Sequence, residues 1–320
     1  MKKMKRVNSL IYGLLCGVVL AIYPQYPEQV EAAQESKKII VADAATTHHL
    51  NLYVAKELGL FKKHHVEVEI INVEDLASAR DAVVSGKADV FWACPTLAIA
   101  AIANGAPIRT IAQVKVPCTS VLLVPKDSPI REYKDMNDKL IGGISPSCEA
   151  VIAITKAAKE AGAKFNLEKL PGGPAIAALK AGRVDGAILE EPHASIAELA
   201  GFKVMFREAS GVPCRTISAS QKALKSKKKA LIGMIKAIDE ANAIILRDPV
   251  ASNIVDIAHK YTGAPKDAII RGNARLRFTI RLKEKGLFSL ADDLVEMGVA
   301  KKNPGQEMFA PEFKGITWGF

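Results

Sequence analysis

Four cysteines, three histidines and two adjacent glutamates fall where short strands should end and loops begin. They are Cys94, Cys118, Cys148 and Cys214, with His48, His49 and His193, and Glu190-Glu191. Thiolates beside imidazole and carboxylate are soft-metal chemistry. The cysteines have two further readings: small apolar side chains of the interior, or disulfides, with Cys118–Cys214 the pair to consider. No Cys-x-x-Cys pair occurs, so a sequence-local zinc site is not supported, and no metal ligand or cofactor is assigned. A different chemistry belongs to Ser145-Pro-Ser147-Cys148 just before Glu149. Serine ahead of a helix either caps it or leaves its first-turn amides free for an anion.

These residues need elements to hold them. Apolar β-branched runs at 39–43, 66–71 and 88–93 read as strands, with helices over 49–58, 76–84 and 96–104 between them. The plan recurs with strands at 140–144, 165–170 and 184–189 and helices at 149–161 and 175–180, then a helix over 191–200. Such alternation predicts parallel sheets covered by helices on both faces. A repeat ties the halves together: Gly86-Lys-Ala-Asp89 leads through 90–93 to Cys94-Pro95, and Gly182-Arg-Val-Asp185 leads through 186–189 to Glu190-Glu191-Pro192. Two similar α/β lobes with a central cleft follow, and a cleft between lobes is where a small molecule is held.

The connections also resemble each other: Val116-Pro-Cys-Thr-Ser120 and Val212-Pro-Cys-Arg-Thr216, each ahead of a strand-like run at 120–124 or 216–220. The boundaries expected are lobe 1 over 38–118 plus 215–320 and lobe 2 over 119–214. Residues 224–246 and the helices after them return to lobe 1.

Ligands of open parallel sheets bind beyond the carboxyl ends of the strands. That rule selects Thr46, Thr47, His48 and His49 after the first strand, and Cys94, Pro95 and Thr96 after the third. In lobe 2 it selects Ser145, Ser147, Cys148, Glu149, Glu190, Glu191 and His193, and the connections add Cys118, Thr119 and Cys214. The ligand-binding set expected is Thr47, His48, Cys94, Thr96, Thr119, Ser147, Cys148 and Glu190. One of the two glutamates is expected to face solvent. Asp89 and Asp185 start their strands, at the far end from the cleft, and so are structural.

The first nine residues carry Lys2, Lys3, Lys5 and Arg6, an uncharged apolar run covers 10–23, and Val30-Glu-Ala32 offers small residues. This order is that of a secretory signal over 1–33, with an uncleaved anchor as the alternative. The chain of 320 residues has a net charge of +10, of which about eight remain after residues 1–33. A basic surface favours an anionic ligand or acidic membrane. Basic and aromatic residues do not interleave as in nucleic-acid readers. No Gly-x-Ser-x-Gly elbow, phosphate loop or His-Glu-x-x-His helix is present, so no catalytic residue is assigned.

In order along the chain, Ala55-Lys-Glu-Leu-Gly-Leu-Phe61, Ser85-Gly-Lys-Ala-Asp89, Ala103-Asn-Gly-Ala-Pro-Ile108, Leu123-Val-Pro-Lys-Asp-Ser-Pro-Ile130 and Ala181-Gly-Arg-Val-Asp-Gly186 resemble type II solute-binding proteins of ABC importers. The branch is that for sulfonates, nitrate, taurine and thiamine-pyrimidine precursors, and the resemblance covers 38–302. It implies a monomeric periplasmic protein that captures a small anionic or polar ligand and passes it to a permease in the inner membrane. An enzyme on the same scaffold, pyrimidine-synthase-like or menaquinone-pathway-like, and a soft-metal or metal-complex binding protein are the alternatives.

Overall fold

The computed structural model describes residues 37–207 and 213–318. The expected signal at 1–33, including Cys16, and Val212 of the second connection lie outside them.

Residues 35–320 form one unit built on two five-stranded sheets. The first sheet holds β1 (Lys38–Asp43), β2 (Glu67–Asn72), β3 (Val90–Ala93), β4 (Ile108–Lys115) and β10 (Cys214–Ser220). The second holds β5 (Val121–Val124), β6 (Leu140–Gly143), β7 (Asn166–Lys169), β8 (Gly186–Leu189) and β9 (Lys203–Arg207). Their orders, β2-β1-β3-β10-β4 and β7-β6-β8-β5-β9, are the same pattern twice. The fourth position in each is filled by a strand that arrives from the other sheet, β10 in one and β5 in the other.

That exchange adds one antiparallel strand to the interior of each of the parallel sheets expected. β10 runs antiparallel to β3 and β4, and β5 antiparallel to β8 and β9. A parallel neighbour needs a crossover element to carry the chain back. β5 and β10 instead enter directly from the opposite sheet, so the direction reverses. The strand β4 was absent from the sequence reading, although it closes one edge of the first sheet with Ile108, Ile111, Ala112 and Val114 fully buried.

Local chemistry explains the elements near the cleft. β3, Val-Phe-Trp-Ala, is buried along its whole length, as a strand covered on both faces must be. Asp75 caps the helix Leu76–Val84 by accepting from the Ser78 amide at 2.7 Å. Pro95 opens the helix Pro95–Ala103 at a position where its missing N–H costs nothing. Trp92, Tyr53, Ile39 and Leu50 are fully buried in the core on one face of the first sheet. Each such side chain contributes about 1.5–3 kcal/mol by leaving water.

Asp89 and Asp185 have matching structural roles. Asp89 Oδ2 accepts from the Ile40 amide and Asp185 Oδ2 from the Leu140 amide, each at 2.8 Å. Each carboxylate thereby ties the start of one strand to its neighbour.

Candidate functional site

The loop after β1 is ordered by a buried carboxylate. Asp43 Oδ1 lies 2.6 Å from His49 Nδ1, and Asp43 Oδ2 accepts from Tyr53 Oη at 2.7 Å. Thr46 caps the short turn Thr47–His49 by accepting from the His48 amide at 3.3 Å. Its hydroxyl also donates to the Glu191 carbonyl at 3.2 Å, joining the loop to the one after β8.

His48 is fully buried. Its Nδ1 is 3.6 Å from Glu190 Oε2 and 3.9 Å from Cys214 Sγ, and its Nε2 is 3.5 Å from Thr119 Oγ1. Burial, reinforced by Lys115 and Arg215, holds it well below the ordinary histidine value, so the ring is neutral.

The organising residue is Arg215, which the sequence reading did not select. Its side chain is fully buried and its backbone sits at φ +63°, in the left-handed region that a non-glycine residue adopts at a cost of about 1–3 kcal/mol. Its Nη1 donates to Cys94 Sγ at 2.7 Å and lies 3.7 Å from Glu149 Oε1, while Nη2 donates to Glu190 Oε2. Its carbonyl accepts from Gln113 Nε2 at 2.6 Å. Burial alone would lower the guanidinium; the surrounding Cys94, Glu190, Cys214 and Glu149 hold it above its ordinary value. Removing water strengthens all of these contacts, and leaving any one group unpaired becomes costly for the same reason. An arginine beside Cys214 in a connection was the only available sequence signal, because nothing local shows that β10 carries it inward.

Around this cation the cysteines form two pairs, all four buried free thiols. Cys148 faces Cys94, and hydrogen bonding from Cys148, followed by burial, raises the Cys94 thiol well above its ordinary value. Burial and then Cys118 do the same to Cys214. Cys148, not Ser147, occupies the N-cap of the helix Glu149–Glu160, without a side-chain cap bond. Ser147 Oγ turns to Ser145 Oγ at 3.0 Å.

Neither glutamate faces solvent, which corrects the expectation for that pair. Glu191 is fully buried, accepts from the Ser195 amide at 3.1 Å and pairs with Arg275 at 2.9 Å. Burial raises its carboxyl despite these partners. Glu190 is held by Arg215, with its side chain 12% exposed.

A cavity of about 210 Å³ opens between the sheets. Five of the eight sequence-selected residues line it: Cys94, Thr96, Ser147, Cys148 and Glu190. Thr96 is 1% exposed and its Oγ1 has no protein partner. Thr46, Ser145 and His193 are also in the wall, with Glu74, Asp75 and Lys169 supplying further charge. Thr47, His48 and Thr119 are outside that lining. His193 begins the helix His193–Leu199 and is packed so closely on Gly172 that a Cβ there would collide with its ring.

The family model described as NMT1/THI5 like matches residues 46–252, which contain nine of the ten strands and the site residues from Thr46 to Arg215. The chain belongs to that family. Curated relatives match this NMT1/THI5-like chain over shorter stretches. One is 4-amino-5-hydroxymethyl-2-methylpyrimidine phosphate synthase of Uromyces fabae, 29% identical over 99 residues, or 31% of this chain. The synthase of the same name from Aspergillus parasiticus is 31% identical over 100 residues, again 31% of this chain. The chain spans 29% of the length of each.

Solved structures match almost end to end. The periplasmic aliphatic sulphonate binding protein SsuA of Escherichia coli superposes with TM-score 0.74 at 18% identity, over 86% of this chain and 92% of that one. A ligand-binding component of an ABC-type import system from Staphylococcus aureus, solved with zinc bound, gives 0.76 at 15% identity over 88% and 99%. The periplasmic nitrate-binding protein NrtA of Synechocystis PCC 6803 gives 0.71 at 13% over 88% and 86%. At these identities the likeness shows the fold, that of periplasmic binding proteins.

Proposed function

We propose that this chain is the solute-binding component of an ABC importer, exported by a signal at 1–33 and working in the periplasm as a monomer. The observation that carries the reading is the cavity walled by loops of both sheets, at the carboxyl ends of β1, β3, β6 and β8. In open α/β sheets that is where ligands bind. Its volume of about 210 Å³ lies below the roughly 300–1,000 Å³ of pockets for drug-sized molecules. A small polar solute fits this size. Thr96, Ser147 and the first turn of Glu149–Glu160 would supply hydrogen bonds to an oxyanion, with Cys94, Cys148 and Glu190 completing the wall. Thr47, His48 and Thr119 would support these contacts from behind.

In this reading the lobes comprise 38–118 plus 215–320 and 119–214, and they close by bending at Pro117-Cys118 and Pro213-Cys214. The closed form would be handed to a permease. Among the described residues no helix is long and apolar enough to cross a membrane.

The rival reading, a pyrimidine-forming enzyme, is favoured by the names of the curated relatives. One experiment separates the two. Protein purified from its own host is examined by native mass spectrometry, the retained small molecule is removed and added back, and small-angle scattering records the size. A molecule that returns unchanged and reduces the radius of gyration supports capture. A molecule that is converted, or that binds without compaction, overturns it.

A further inference from the structure

The two cysteine pairs are more than packing. Cys94 follows β3 of the first sheet and Cys148 is the N-cap of the helix Glu149–Glu160 after β6 of the second, while Cys118 lies in the connection between β4 and β5 and Cys214 opens β10. Glu149 stands between the pairs, 1% exposed. Its Oε1 is 3.9 Å from Cys118 Sγ, and its Oε2 is 3.7 Å from Cys148 Sγ. Donor atoms of Cys94, Cys148 and Glu149 all lie within 4.8 Å of one another, and so do those of Cys118, Glu149 and Cys214.

A tetrahedral ion with metal–sulfur bonds of about 2.3 Å and a metal–oxygen bond of about 2.0 Å sets a thiolate sulfur and a carboxylate oxygen about 3.5 Å apart. The Glu149 contacts, at 3.9 and 3.7 Å, reach that spacing with shifts of about 0.2–0.4 Å. Cysteines serving only as small apolar filler would have no reason to converge on one buried carboxylate. Thiolate donors select thiophilic cations over hard ones such as magnesium or calcium.

We propose that Cys94, Cys148, Cys118, Cys214 and Glu149 bind two thiophilic d10 cations of the zinc type. Each cation sits in one cysteine pair, and the Glu149 carboxylate bridges them. Three protein donors per ion leave a coordination position open. For the Cys94–Cys148 ion that position faces the cavity, because both residues line it. Arg215, donating to Cys94 and close to Glu149, orients the donors and offsets their charge.

The test uses the full chain, reduced and stripped of metal, titrated with Zn²⁺ and then with Cd²⁺ as a spectroscopic probe. The readouts are the metal-to-protein ratio after desalting and the thiolate-to-cadmium charge-transfer band. Two ions per chain are expected. The double variant Cys94→Ser/Cys148→Ser should retain one, and Cys118→Ser/Cys214→Ser the other. Glu149→Gln should weaken both by about 10–100-fold. No retained ion, a band untouched by these substitutions, or a single ion that either double variant abolishes would overturn the two-ion site. Should a double variant fail to fold, alkylation of the wild-type thiols with and without Zn²⁺ decides. Protection of all four supports the site, and four thiols that react equally in both states refute it. No organic ligand enters the measurement, so its result is independent of the import reading.

Discussion

The two ends of the sheets obey the same internal repeat and differ in what they do with it. At the far end, Asp89 and Asp185 hold equivalent positions and make equivalent 2.8 Å bonds to a neighbouring strand's amide. At the cleft end the repeat diverges. Cys94-Pro95 is matched by Glu190-Glu191-Pro192, and Pro117-Cys118-Thr119 by Pro213-Cys214-Arg215. Thr119 is half-buried, whereas Arg215 is fully buried at φ +63° and binds residues from both halves. A repeated scaffold keeps symmetry where only backbone geometry is served. It loses symmetry where two unlike surfaces must complete one site.

The largest break in that comparison should come from Arg215→Gln. Glu149 and Glu190 would lose their buried cation, a loss expected to cost about 3–5 kcal/mol. Urea denaturation measures it, and a loss under 1 kcal/mol would show that the buried network is not held by this side chain.

The far end should give smaller, ordered effects. Asp89 also pairs with Lys227 at 2.7 Å with its side chain 16% exposed, whereas Asp185 is 42% exposed and 4.0 Å from Lys139. Asp89→Ala is expected to cost about 2 kcal/mol and Asp185→Ala about 1. Neither should alter occupancy of the cavity in native mass spectra. Equal losses would mean that the shared amide bond, not the ion pair, dominates, and a reversed order would refute a contribution from the Lys227 pair.

The smallest effect concerns pH. Burial holds His193 below its ordinary value, opposed by Glu190. The unfolded chain therefore takes up this proton first as the pH falls, and stability falls with it. The neutral ring's contribution is full above about pH 6.5 and is lost as the pH drops from there toward the lower folded value. His193→Gln should flatten that part of the melting-temperature profile. Identical acid slopes in the two proteins would sink this assignment.

Much of the fold was legible because its signals are local. Apolar runs at 39–43 and 88–93, the Gly turns before Asp89 and Asp185, and Pro95 at a helix start each carry their meaning within a few residues. β4 escaped notice although Ile108, Ile111 and Val114 are buried, because Arg109, Gln113 and Lys115 interrupt the apolar run. The antiparallel direction of β5 and β10 was equally hidden, since a strand's sequence does not record which sheet it joins.

For the site, sequence by itself determined the inventory and the neighbourhood. Cys94, Thr96, Ser147, Cys148 and Glu190 follow strand ends, and strand ends in an α/β sheet converge on one edge. Only the tertiary structure decided the partners. Arg215 and Glu149, 66 positions apart by their numbers, come within 3.7 Å, and both glutamates of the 190–191 pair turn inward to separate arginines. Such contacts are set by the exchange of β5 and β10 between the sheets. A buried charge is tolerated only where that exchange delivers its counter-charge, which is a property of the assembled fold.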